Sequence, residues 1–355
     1  MNEKIFRVFF DNMPEPAFIT DNKLNLLRAN KTAFSIFGIP KSAKTLLEAT
    51  FSIELENEAE KVLEQNKAGE SEIVIYKGAK QYFFHVFITP LEEKYLIIFL
   101  DNISKIRRLE KVRRDFAANV SHELRTPIQL IKGFSETILE QWPEPDKVIH
   151  ALEIIQKNAV NMENLTSDLL TLVSLEDKNE DEDNPRLEMT ETSIYGLLEE
   201  AVLTVEPKRS AKKIRIDLFC DKELTFRLYG PFIIQALINL LDNAIKYSPP
   251  SSKIKVSAEI TESAEIKEQT ARASKALLIK VKDNGIGIPA EFQERVFERF
   301  FRVDKSRTRD LGGPSGTGLG LAIVRHISLL HNGSVELVSH TKEGACFIIR
   351  IPAAS

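Results

Sequence analysis

The stretch FAANVSHELRTPIQLIKGF, residues 116–134, sets one histidine, His122, beside Glu123 and four residues ahead of Thr126, with Pro127 just beyond. Its surroundings read as helix. Leu109, Val112, Phe116, Val120, Leu124, Ile128 and Ile131 recur three or four apart, which predicts a long amphipathic helix, coiled-coil-like at its start. HELRT carries threonine where the zinc-protease pattern H-E-x-x-H needs its second imidazole, so the histidine calls for a different chemistry. From Ser104 to about Glu176 the only glycine is Gly133, and after Pro143 and Pro145 the periodicity resumes through Val148, Leu152, Ile155, Val160, Leu165, Leu169 and Leu172. A helical hairpin over 104–178 is predicted. Each helix is apolar on one face, so one hairpin leaves its seam wet; two copies pairing as a four-helix bundle bury it, which predicts a homodimer.

Composition bounds the rest. With 355 residues, 43% apolar and 28% charged, the chain has material for two or three domains, each with its own core. A net charge of −4 gives no overall electrostatic footprint for nucleic acid. The two cysteines, Cys220 and Cys346, are too far apart in sequence for a C-x-x-C site or a disulfide framework, which fits a reducing cytoplasm. YLIIFL at 95–100 is far short of the ~20 residues that span a bilayer, and the N-terminus has no signal-peptide pattern. A soluble, cytoplasmic chain without a transmembrane segment is expected.

Either side of the hairpin the pattern changes. Residues 1–103 hold strand-like runs, EIVIY (72–76), QYFFHVFITP (81–90) and KYLIIFLDN (94–102), separated by Gly78 and Pro90, among short helical pieces: a small α/β domain. The acidic segment at 179–185 reads as a solvated linker. From 186 to 355, helical stretches such as PFIIQALINLLDNAIKY alternate with runs such as SKIKVSAEI, ALLIKVKDN and ACFIIRIP, an α/β sandwich pattern. The fold class is multidomain α+β.

Three stretches of this last region carry chemistry. In LINLLDNAIKYS, Asn239, Asn243 and Lys246 fall at i, i+4 and i+7, on one face of an otherwise apolar helix. That face suits phosphate and its metal, with the Asn243 amide oxygen as a Mg²⁺ ligand and Lys246 as compensating charge. The same pattern also fits a helix cap or a buried polar bridge. In VKDNGIGIP, Asp283 ends an apolar strand ahead of Gly285 and Gly287; a carboxylate there can accept from an exocyclic amine while the glycines admit a flat base, and a plain turn is the other reading. In GGPSGTGLGLAIVRH a glycine loop runs into an apolar helix, so the amides of Gly316, Thr317, Gly318 and Leu319 can face phosphate oxygens at the positive helix end, with Gly320 completing the loop. It is not a P-loop, and it lacks G-x-G-x-x-G spacing.

In order and spacing, with ERVFERFFRVDKSR (294–307) between the second and third, these stretches resemble the ATP-binding (Bergerat, GHKL-type) domain shared by sensor histidine kinases, type II topoisomerases, Hsp90-type chaperones and mismatch-repair ATPases. SHELRTP followed by IKGFSETIL resembles the phosphoacceptor box of sensor histidine kinases, and 104–355 as a whole resembles their phosphate-sensor-like branch. The resemblance implies roles. His122 is the phosphorylated residue and Glu123 the general base beside it; Thr126, through E-x-x-T spacing, serves a phosphatase activity toward the partner regulator, or else simply prepares the chain for Pro127. Asn243 is the magnesium ligand and Asn239 its neighbour; Lys246, Tyr247 and Arg302 contact the nucleotide. Asp283 reads adenine. Phe297, Phe300 and the segment to about Gly313 form the hinge and lid over ATP, and Gly344 with Phe347 the last glycine motif. The implied activity is autophosphorylation of His122 from Mg-ATP, then transfer to an aspartate of a separate response regulator, since no receiver-like segment follows.

Two features depart from the family pattern: TESAEIKEQTARASK (261–275) lengthens a connection with polar residues, and GPFII (230–234) replaces a commonly acidic helix start. The first hundred residues resemble a PAS sensor domain, from DNMPEPAFITDNKLNLLRANKTAFSIFG to the exit LDNISKIRRLE. His85, in an aromatic strand, reads as a packed histidine ahead of a haem ligand. His150, His326, His331 and His340 lie outside the motifs and read as surface or core residues. The competing function class is an ATP-driven conformational or binding protein without a phosphohistidine; HELRT on a bundle helix separates the two.

Overall fold

The computed structural model describes the chain except residues 1–2, 79, 93, 142–143, 181–187, 264–273, 304–315, 342 and 354–355. Pro143, most of the acidic linker, the centre of the polar insertion and the lid segment up to Gly313 therefore lie outside the described residues. The chain divides into two compact units, Met1–Ala118 and Asn119–Ser355.

The first unit runs α1 (Glu3–Asp11), β1 (Ala17–Asp21), β2 (Leu26–Ala29), α2 (Lys31–Phe37), α3 (Leu46–Thr50), α4 (Ile53–Gln65), β3 (Gly69–Lys77), β4 (Lys80–Leu91) and β5 (Tyr95–Asn102). The strands form one antiparallel sheet in the order β2-β1-β5-β4-β3. Strict alternation in β5, with Leu96, Ile98 and Leu100 buried, turns one face of the sheet toward Leu46, Leu55 and Val62 of the helices. α2, α3 and α4 each start on a capping side chain: Asn30, Thr45 and Ser52 accept from the Ala33, Glu48 and Leu55 amides. Asn30 is fully buried and also accepts from the Ala17 amide at 3.1 Å, so one side chain starts α2 and ties it to β1. Pro90 does not end its strand. β4 continues to Leu91 with Pro90 opposite Leu96, so the turn falls one residue later than the sequence suggests. His85 lies on β4 with its ring 4.4 Å from that of Phe87.

The helix α5 (Ser104–Gln141) runs unbroken through Pro127, and α6 (Pro145–Glu180) completes the hairpin. There follow β6 (Thr190–Ser193), α7 (Ile194–Thr204), α8 (Glu206–Ala211), β7 (Arg215–Phe219), β8 (Thr225–Leu228), α9 (Gly230–Tyr247), β9 (Lys253–Ser263), β10 (Ser274–Lys282), α10 (Gly320–Leu330), β11 (Ser334–His340) and β12 (Gly344–Pro352). Five strands form a mixed sheet, β11-β12-β10-β9-β7, parallel only between β7 and β9; β6 and β8 pair separately. α7, α9 and α10 cover one face of the sheet, burying Leu198, Ile233, Leu237, Leu241, Ile323 and Ile327 over Leu277 and Ile279. At about 1.5–3 kcal/mol for each fully buried large aliphatic side chain, this layer holds the C-terminal end of α9 and the N-terminal end of α10 beside one another. Among the described residues, no helix is long and apolar enough to cross a membrane.

Candidate nucleotide site

α9 opens with Pro231 in its first turn, where a missing N–H costs nothing, and buries Ile233, Leu237, Leu240, Leu241, Ala244 and Ile245. Asn239, Asn243 and Lys246 stand together on the remaining face. The Asn239 amide abuts Gly320 at the start of α10, and its Nδ2 is buried without a hydrogen-bond partner. Among the described residues nothing accepts from this donor, and a buried amide donor left without an acceptor costs about 1–3 kcal/mol. Asn243, half-buried, makes no side-chain hydrogen bond among the described residues.

Lys246 is the strongest electrostatic feature. Burial, and then the nearby Arg302 charge, lowers its ammonium to about 8, and it forms no ion pair among the described residues. Its Nζ lies 4.8 Å from the Tyr247 ring centroid, and burial raises the Tyr247 phenol. On the other side the ammonium lies against Gly316, where a Cβ would displace the tip of the lysine side chain. Gly318 accepts from the Phe300 amide at 2.9 Å, which fixes the hinge to the loop. Of the four amides expected to face phosphate, one is already engaged: Leu319 N donates to Thr317 Oγ1 at 3.2 Å. The Thr317 hydroxyl in turn donates to Asp168 Oδ2 on α6 at 2.7 Å.

Asp283 is buried just past β10. Its Oδ1 accepts from Gly285 N at 2.8 Å and Ala345 N at 3.1 Å, so this oxygen serves the turn. Burial pushes this carboxyl up from its ordinary value while the two amides pull it back. Gly285 backs onto the Tyr247 carbonyl, which joins the Asp283 turn to the end of α9. Gly287 follows in the turn at φ 71°. Gly344 has φ 86°, and a side chain there would strike the Asp283 carbonyl; Phe347 packs edge-on to Phe297 at 6.3 Å.

The hairpin residues form a second group. His122 is exposed on α5, while Glu123 and Thr126 are half-buried and Pro127 is buried. Adjacent helical positions diverge, which separates the Glu123 and His122 side chains at rest. Thr126 Oγ1 reaches the His122 carbonyl at 3.5 Å, a long bond, leaving the hydroxyl loosely held. Among the described residues, no three His, Cys, Asp or Glu side chains gather as metal ligands. The donor set fits Mg²⁺ bound through one amide oxygen and phosphates, with Asn243 as the protein ligand.

Three residues that sequence reasoning did not single out belong to this neighbourhood. Asp242 Oδ2 pairs with Lys208 of α8 at 2.6 Å while its Oδ1 is buried without a partner, and Asp168 is raised by burial first, with Asp242 adding to it and Thr317 and Lys208 opposing. Asp168 had a readable signal: it sits between Leu165 and Leu172, on the apolar face of its helix.

Comparison with known proteins agrees with this arrangement. Residues 4–70 match the PAS domain family, 112–178 the His Kinase A (phospho-acceptor) domain, and 230–355 the Histidine kinase-, DNA gyrase B-, and HSP90-like ATPase family. The chain is 34% identical over 267 residues to the sensor-like histidine kinase SenX3 of Mycolicibacterium smegmatis, covering 75% of this chain and 64% of that one. It is 32% identical over 265 residues to the phosphate regulon sensor protein PhoR of Pseudomonas aeruginosa, covering 74% and 55%. The chain thus matches less than two thirds of the length of these relatives. In fold it is similar to histidine kinase ThkA, solved in complex with response regulator protein TrrA, with a TM-score of 0.50, 23% identity and coverage of 100% and 99%. With a sensor module, a phospho-acceptor hairpin and an ATPase domain in this order, the chain belongs to the sensor histidine kinases.

Proposed function

We propose that the chain phosphorylates its own His122 from Mg-ATP and passes the phosphoryl group to an aspartate of a separate response regulator. The observation that carries the reading is the desolvated Lys246 ammonium, without an ion pair among the described residues, set under the Gly316–Gly320 loop at the N-terminal end of α10, with the orphaned Asn239 amide beside it. Such a site gains by accepting a polyanion, which restores the ammonium's counter-charge and gives Asn239 an acceptor. Asp283 meets the adenine amine and Tyr247 and Arg302 flank the nucleotide. Asn243 would hold Mg²⁺, which would supply charge neutralisation at the phosphates.

Phosphoryl transfer asks mainly for positioning and charge neutralisation. The neutral His122 imidazole attacks the γ-phosphorus, the bond to ADP breaks, and Glu123 accepts the ring proton. In the reverse regulation, Thr126 orients a water toward the phosphorylated aspartate of the regulator. The exposed Ile128, Leu130, Leu139, Ile149, Leu152 and Val160 of the hairpin support pairing of two copies as a four-helix bundle. The proposed organisation is a sensor domain at 1–103, the hairpin at 104–178, a linker at 179–185 and the ATP-binding domain at 186–355. Incubation with γ-labelled ATP and Mg²⁺, followed by acid and base treatment, tests the activity. Acid-labile, base-stable label on the chain is expected; nucleotide hydrolysis with an unlabelled chain would favour an ATP-driven conformational protein.

A further inference from the structure

We propose that Asp168, on the second hairpin helix, is a positioning residue for autophosphorylation: through Thr317 it grips the phosphate-facing loop and registers it at the height of His122. The inference rests on the kinase reading above. Its observations are separate from those that carry that reading.

Asp168 shares the face of α6 that buries Leu165, Leu172 and Leu175, at spacings of three, four and seven residues. A carboxylate among leucines on a buried face is costly unless it has a partner. Its partner is the Thr317 hydroxyl at 2.7 Å, where α6 packs against α10. That hydroxyl has one proton. Giving it to Asp168 turns a lone pair toward Leu319 N, which donates at 3.2 Å, so the carboxylate fixes the hydroxyl and the hydroxyl fixes the first amide of the α10 terminus. Behind it, Asp242 and Lys208 keep the junction near charge balance, joined by their own 2.6 Å ion pair.

The position along the hairpin gives the contact its meaning. Asp168 stands 23 positions after Pro145 at the start of α6, and His122 19 positions before Gln141 at the end of α5. In an antiparallel hairpin, four residues of offset at about 1.5 Å each place the two within about 6 Å along the bundle axis. A hydrogen bond from the loop to Asp168 therefore holds the loop about one helical turn from the acceptor's level. Reaction between two groups on separate modules is sensitive to such registration, with about 100-fold lost for a misplacement of about 1 Å.

The experiment uses the full chain and reads two quantities: the initial rate of labelling of His122 at saturating Mg-ATP, and the dissociation constant of a fluorescent ATP analogue. Asp168→Ala is expected to slow labelling by about tenfold or more, with nucleotide affinity within about twofold of wild type; Thr317→Val, at the nucleotide loop itself, also releases the Leu319 amide and should slow labelling at least as much while weakening nucleotide affinity. The double variant should be no slower than Thr317→Val, because the Asp168 contact is already lost in that variant. Thr317→Ser, which keeps the hydroxyl, should restore the wild-type rate. Retained nucleotide affinity also shows that the Asp168→Ala chain is folded. The inference is overturned if Asp168→Ala labels as fast as wild type or faster, the latter marking an inhibitory latch. It is equally overturned if the nucleotide affinity of Asp168→Ala falls as much as its rate, which would make the contact local loop support, or if the single losses add. A wild-type chain that binds nucleotide and takes no label would refute the kinase reading and this inference with it.

Discussion

Lys246 makes nucleotide binding depend on pH in a way that can be worked out from its surroundings. Its ammonium is lowered from 10.5 to about 8, chiefly by burial and then by Arg302. That displacement corresponds to about 3 kcal/mol of penalty on the charged form, at about 1.4 kcal/mol per pH unit. Bound phosphates return the counter-charge, so the complex holds the proton where the free protein has shed it. Affinity should be flat up to pH 8 and then fall by about tenfold per pH unit as the free protein's Lys246 deprotonates. The nucleotide's own phosphates, with a last ionisation near pH 6, are silent in this range, and burial raises the Tyr247 phenol away from it. Folding of the nucleotide-free protein should respond with the opposite sign. Between pH 8 and 10.5 the unfolded chain binds more protons, so unfolding free energy rises with pH while ATP affinity falls. Titration of a fluorescent ATP analogue from pH 7 to 10, beside urea unfolding over the same range, measures both. Lys246→Met should bind more weakly and lose the pH slope. An affinity in the wild type that stays level to pH 10 would refute the argument that a desolvated ammonium awaits the phosphates.

His122→Gln should abolish labelling while leaving nucleotide affinity unchanged, as read by the labelling assay and the same fluorescent titration; persistent label would move the acceptor elsewhere. Gly344→Ala should destabilise by about 2–5 kcal/mol, from the left-handed backbone at φ 86° and the clash with the Asp283 carbonyl, and should weaken ATP binding further by shifting Ala345 N off Asp283; thermal melts and binding check both. His331 is buried and neutral, its Nδ1 donating to Ile327 O at 2.8 Å and its Nε2 accepting from Tyr229 N at 3.1 Å, with burial lowering its pKa. Because its folded pKa lies below the unfolded 6.5, its contribution is complete above that pH and is lost as pH falls, by up to about 1.4 kcal/mol per unit. His331→Phe should cost about 1–3 kcal/mol at neutral pH and flatten part of the acid slope in unfolding measurements. Thr126→Ala should keep autophosphorylation and transfer but slow dephosphorylation of the regulator; a wild-type rate of dephosphorylation would leave the hydroxyl a purely structural role.

What could be read from the sequence followed from periodicity and from residues with only one conformational or chemical use. The three-and-four spacing from Leu109 to Ile131 gave α5, and short apolar runs, YLIIFL and ALLIKV, gave β5 and β10. Glycines marked the turns because Gly318 and Gly344 stand at positive φ with backbone where a side chain would go. The short strands β6, β7 and β8 were not legible. TETS, RIDLF and TFRL are four or five residues long and carry too few apolar positions to show a period, so their pairing is decided by partners distant in sequence. The His331 bond to Tyr229 spans 102 residues and has no local signature at all. Asp168 was readable only as an anomaly, an acid where the leucine stripe called for an apolar residue.

That anomaly belongs to a pattern. Buried side-chain polar atoms of the second unit that lack a partner among the described residues are Asn239 Nδ2, Asp242 Oδ1, Ser248 Oγ and Ser252 Oγ, the first three on α9 or at its C-terminal end. Two of the unusual groups lie close to the glycine loop. Asn239 Nδ2 and Asp242 Oδ1 are orphaned, Lys246 is desolvated, and Asp168 is raised by burial, on the exposed side of α9 and on the α6 face that meets α10. Scattered defects would each cost stability without return and would be expected anywhere in the fold. Asn239 and Lys246 both lie against the Gly316–Gly320 loop, so a single anionic ligand can relieve the two together. Asp168 differs from the rest in lying on the hairpin. Its unmet contact is satisfied by the loop itself, which makes the loop answer to the acceptor helix pair as well as to the nucleotide.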